Sequence, residues 1–204
     1  MARYVILGIM AAAAASAAYA QPAAPPAPPP PAAAPAPPPP PAPAAPPAPA
    51  APAAAIGPYL NQAIEKVCIP LIQGQKINEV AKANGLRHFH DDWLLQGPGV
   101  ERVIISLPTV ANPTICNMTL NYELGETAGI VTVLGNWAAS QNPPLDVLES
   151  GSAIGAGVTG WTWAVDTSSG GHTGVVFDRQ TTPDGKPLGR GFEVGTLMFN
   201  YKAG

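Results

Sequence analysis

Residues 126–140 read ETAGIVTVLGNWAAS, and their assignment decides whether the C-terminal half is all strand or a mixture of strand and helix. The run GIVTVL is rich in β-branched residues, which suits a strand. Against this, Ile130, Val133, Leu134 and Trp137 recur at three- and four-residue spacing, the stripe of a helix with one apolar face. Asn142-Pro143-Pro144 then supplies a stop. The spacing favours the helix.

Strand signals lie on both sides of it. Downstream come WTWAVD (161–166), GVVFDRQ (174–180) and GFEVGTLMFNY (191–201), separated by the loops SSGG and TPDGKPLG. Trp161, Trp163 and Val165 alternate as one face of a strand does. Upstream, Val100 to Leu107 and Thr114 to Glu123 are apolar and β-branched, joined through Pro108 and Asn112-Pro113. Before them, Pro58 suits a first helical turn, and Leu60, Ile64, Val67, Cys68 and Leu71 continue it. Pro70 should kink or end that helix. A second helix is expected over Lys76 to Asn84, with Gly85 as its left-handed stop. The expected class is therefore α+β: two N-terminal helices, then an antiparallel sheet of about five strands, with one further helix between strands two and three.

The domain occupies residues 56–204 of a 204-residue chain. Residues 1–20, MARYVILGIMAAAAASAAYA, have the parts of a secretory signal peptide: Arg3, an apolar run, and Ala18-Tyr19-Ala20 ahead of Gln21. An uncleaved membrane anchor is the alternative. Residues 21–55 are almost wholly Pro and Ala and hold most of the 27 prolines, so a disordered, polyproline II-like tail is expected. No other segment is long and apolar enough to span a bilayer.

Only Arg3 precedes Ile56, so the domain carries 9 of the 10 Lys and Arg against 13 Asp and Glu, a net charge of −4. That balance argues against nonspecific nucleic-acid binding, which requires a basic surface. It offers no basic cluster for anionic lipid either. The only cysteines are Cys68 and Cys116, which in an exported chain are expected to form a structural disulfide.

Most catalytic signatures are missing. Gly155, Gly157 and Gly160 match G-x-G-x-x-G, but a strand-like segment follows where a dinucleotide site needs a helix. No G-x-S-x-G or S-x-x-K occurs, and Ser152, Ser168 and Ser169 read as turn residues. Asn117-Met118-Thr119 has the glycosylation pattern in a strand context that argues against its use. Trp161 and Trp163 read as core rather than as sugar-stacking residues.

One cluster holds more chemistry. In GLRHFHDDWLLQG (85–97), His88, His90, Asp91 and Asp92 are nearly adjacent. On a strand, His88 and His90 would share a face and could present two nitrogens to zinc. His172 would be the third ligand, with Asp166 or Glu193 as further candidates. The plainer reading is a polar surface segment anchored by Phe89, Trp93 and Leu94, with Asp91 or Asp92 capping a turn or short helix from Trp93.

Two functions follow as expectations. The first is an exported cell-envelope module, periplasmic or secreted, that is non-catalytic and binds an envelope protein or a small ligand without a cofactor. The alternative is a small zinc-binding protein or metal-dependent enzyme centred on His88, His90 and His172.

Overall fold

A computed structural model describes residues 54–204. The signal-peptide and anchor readings of residues 1–20, and all but the last two residues of the Pro/Ala tail, lie outside the described residues.

Helix α1 is built from Gly57–Gln62, Ala63–Cys68 and Ile69–Ile72, which follow one another without a break. Pro70 neither ends it nor removes it. The middle segment is wound as a π-helix, the wider form that relieves a strained ladder, and the chain returns to α-geometry at Ile69. Pro70 has no N–H to give the Lys66 carbonyl, and the Asn84 side-chain amide donates to that oxygen instead, at 3.0 Å. Helix α2, Ile77–Asn84, stops at Gly85, whose φ of 68° is left-handed, with Leu86 N–H bonded back to Ala81 O.

The sheet corrects the sequence-based expectation. It has eight antiparallel strands rather than about five. These are β1 Arg87–Phe89, β2 Asp92–Gln96, β3 Arg102–Ser106, β4 Ile115–Tyr122, β5 Asp146–Gly155, β6 Val158–Asp166, β7 His172–Gln180 and β8 Glu193–Lys202. Their order across the sheet is β1-β2-β3-β4-β8-β7-β6-β5. Helix α3, Thr127–Ser140, therefore lies between the fourth and fifth strands, not the second and third. Its helical assignment over the GIVTVL run is as the spacing predicts.

The additional strands have identifiable causes. Phe89 pairs with Asp92, so β1 and β2 form a hairpin closed by only His90 and Asp91. His90 supplies the positive φ, 54°, that such a turn needs and that Gly, Asn or Asp usually provides. No glycine marks the turn, and the segment from Trp93 is strand rather than helix. The third, β5, is exposed along nearly its whole length and shifts register against β6 three times. Without a buried face it has no apolar alternation to read.

Alternation elsewhere sets the core. Val103, Ile105, Met118, Leu120, Phe177, Leu197 and Phe199 point to one face of the sheet. They join Leu60, Ile64 and Val67 of α1 and Ile130, Leu134 and Trp137 of α3 in one cluster. Trp163 is buried there, and Trp161 stacks on Phe177 with ring centroids 5.5 Å apart, as core tryptophans should. Cys68 and Cys116 are bonded, fastening the π segment of α1 to β4. Gly157 turns the β5–β6 hairpin at φ 72°, where a Cβ would collide with the Thr181 carbonyl, so the G-x-G-x-x-G run is hairpin chemistry.

Candidate ligand-binding cleft

The three histidines are dispersed by the sheet. His88 is on β1, edge to face against Trp93 of β2, with ring centroids 5.1 Å apart. His90 sits in the turn, so the two do not share a strand face as their spacing suggests. His172 begins β7, five strand steps from β1, on the order of 24 Å along the sheet at ~4.8 Å per step. Asp91 is in the same turn as His90, and Asp92 begins β2. Among the described residues, no group of three or more His, Cys, Asp or Glu is placed to hold a metal ion. The zinc reading requires a convergence that the topology does not provide.

His172 has a different partner. It lies opposite Asp166 in the β6–β7 ladder, and Nδ1 is 2.7 Å from Asp166 Oδ1. Asp166 is 86% exposed, so the pair contributes little to stability. It fixes the imidazole orientation and leaves Nε2 facing out over Gly174. Ser169, close in sequence, is occupied in its turn: its hydroxyl and that of Thr167 are 3.0 Å apart, and Thr167 Oγ1 accepts from Gly171 N–H at 2.9 Å.

Beside His172 is a cleft of about 390 Å³, bounded by the C-terminal end of α3, the loop after it, the β6–β7 turn and the end of β8. Aromatic rings form its floor. Phe199 and Tyr201 stack at 6.4 Å with an 8° interplanar angle, and Trp137 meets Phe199 edge-on at 5.9 Å. The backbone at Trp137 is held by two bonds to its carbonyl, from Ser140 Oγ at 2.7 Å and Gln141 Nε2 at 3.1 Å. The indole is 5% exposed, yet its N–H has no partner among the described residues. A buried, unsatisfied donor costs about 1–3 kcal/mol, which an acceptor on a bound molecule would recover. The helical stripe identified Trp137 as inward-facing; the unpaired N–H depends on which loops surround it and leaves no sequence pattern.

A second polar group lies under the N-terminus of α3. Glu193, weighed from sequence as a metal ligand, is buried and takes Arg179 Nε at 3.1 Å and Nη2 at 2.7 Å, both on Oε1. Thr127, the first residue of α3, donates to Oε2 at 2.9 Å, and the Tyr122 hydroxyl is 3.3 Å from Thr127 Oγ1. Arg179 and Glu193 are in phase with Phe177 and Leu197, so a charge at a core position is the signal that finds them. Tyr122, fully buried, has its phenol pushed up to about 12, chiefly by burial, with Glu193 adding to it and Thr127 and Arg179 opposing. Below pH 10 the phenol is neutral folded and unfolded. As pH rises from 10 towards 12 only the unfolded chain ionises, so stability is lost across that window, by about 3 kcal/mol at most. Denaturant titrations at pH 8, 10 and 11.5 should show the wild type weakening more steeply than Tyr122→Phe. Parallel curves would contradict this.

The chain matches no known family, no curated protein and no solved structure.

Proposed function

We propose that this is a non-catalytic binding module of an exported protein, and that its ligand is a small ring-bearing molecule with a hydrogen-bond acceptor, seated in the Trp137 cleft. The observation that carries the reading is Trp137, which lines the cleft beside stacked rings and whose buried N–H is unsatisfied among the described residues. A planar ligand can stack on Tyr201 while its acceptor takes that proton. Support for export is separate. It comes from the residue pattern of positions 1–20 and from the Cys68–Cys116 bond.

The test is a screen of heteroaromatic and aryl-carbonyl fragments against the ¹⁵N-labelled protein, reading the four indole N–H signals. Binders should shift the signal that Trp137→Phe removes, and that variant should bind them about tenfold more weakly, the effect of one lost hydrogen bond of ~1.4 kcal/mol. Fragments that bind without moving that signal, or a collection with no binder, would overturn the proposal.

A further inference from the structure

The face of the sheet turned away from the helices bears two more unsatisfied oxygens. Asp178 Oδ1 on β7 and Asn200 Oδ1 on β8 are both buried without a partner among the described residues. Asp178 pairs with Thr196, and Asn200 with Gly174, four residues further along the same ladder. The two residues are therefore about 14 Å apart along the backbone, at ~3.4 Å per residue. Each borders a hollow, of about 330 Å³ at Asp178 and 210 Å³ at Asn200, and the two hollows share Val176 and Met198. Met198 is 38% exposed, and Leu148 and Ala164 extend the apolar strip beside Asn200. The surface is thus a groove with an acceptor near each end and an apolar middle.

Charge identifies what fits the Asp178 end. The outward positions of the five strands around it, β3, β4, β8, β7 and β6, carry two Lys or Arg: Arg102 at the start of β3, three strands from β7, and Lys202, which pairs with His172 six residues away along the ladder. Burial holds the Asp178 carboxyl above the ordinary aspartate range, and the Glu149 carboxylate adds to it. Gly160 leaves room at this point, since a Cβ there would come within 3.1 Å of Asp178 Oδ1. A carboxylate without a counter-charge, walled by the hydroxyls and amide of Thr119, Thr196 and Asn117, is completed by a compact cation with several N–H donors.

We infer that this groove binds a linear aliphatic diamine, with one ammonium on Asp178, the methylene chain over Val176 and Met198, and the second amine on Asn200. This site is on the opposite face from the Trp137 floor and does not depend on it.

Titrating the full chain with 1,6-diaminohexane, 1,8-diaminooctane and 1,10-diaminodecane, with 1-aminooctane and 1,8-octanediol as comparators, tests the assignment. The longer diamines should shift amides of β7 and β8 around Val176–Asp178 and Met198–Asn200, the monoamine should bind several-fold more weakly, and the diol should not bind. Asp178→Asn should weaken the diamine at least tenfold while melting no lower than the wild type, because it removes an unpaired, half-buried charge. Asn200→Ala should bring diamine affinity down to that of the monoamine. A diol that binds as well as the diamine, shifts elsewhere on the sheet, or unchanged affinity in Asp178→Asn would overturn the inference. Because the shifts are read on the wild type, the result stands even if a variant folds poorly.

Discussion

Replacing Cys68 and Cys116 together with alanine should lower the melting temperature by roughly 8–16 °C. The bond joins residues 48 apart in sequence. In the chain-entropy treatment, freeing a loop of that length costs about 4 kcal/mol, and a domain of ~150 residues shifts by about 2–4 °C per kcal/mol. The loop contains α2 and strands β1, β2 and β3, so the unfolded chain gains freedom over a third of the domain. Both sulfurs are fully buried in the core, and alanine leaves small voids that push in the same direction. Thermal unfolding by circular dichroism, with a thiol count on the denatured wild type, measures the effect. A loss under about 1 kcal/mol would mean that apolar packing of α1 on β4 restricts the unfolded chain nearly as well as the bond does.

Arg179→Met should cost about 3 kcal/mol at pH 7. Glu193 keeps its bond from Thr127 but loses both guanidinium contacts, and its side chain is only 6% exposed. Removing one partner of a buried pair costs ~3–5 kcal/mol because the remaining charge is stranded. Arg179 is itself 31% exposed, so water reaching the vacated space keeps the loss at the lower end. The mechanism makes a sharper prediction for the double variant. Arg179→Met with Glu193→Gln retains an acceptor for Thr127 and removes the charge, and it should recover more than half of the loss. Urea unfolding of the single and double variants at pH 7 decides the matter; a double variant that recovers little of the loss would point to lost side-chain packing instead.

What the sequence made legible followed from periodic burial. Helix α3 was readable because Ile130, Leu134 and Trp137 all face the core, and β6 because Trp161 and Trp163 do. The disulfide was readable because only two cysteines exist. Strand β5 was not, since almost nothing along it is buried, and the β1–β2 hairpin was hidden by a turn built on His90 in place of glycine. The metal candidates fared differently for a topological reason. Spacing within GLRHFHDD is local, whereas a shared site with His172 depends on strand order, and β4 pairs with β8 to put half of the sheet between them. The cleft and the groove were the least legible, because each rests on a polar atom whose lack of a partner is a property of the assembled loops and strands.

The irregularity of β5 bears on how the molecule behaves in a crowd. Among the described residues the open sheet ends in two unpaired edges, β1 and β5, and a long edge is a template on which a second chain can add a strand. At one end β1 is three residues long, too short to recruit much. At the other, β5 runs for ten residues with Val147, Leu148 and Ile154 all more than half exposed, which is the composition of a sticky border. Its three register breaks, with Gly151 at a positive φ, interrupt the even row of N–H and C=O groups that an incoming strand would have to match. The register breaks thus spoil the template that this apolar rim would otherwise offer to a second chain.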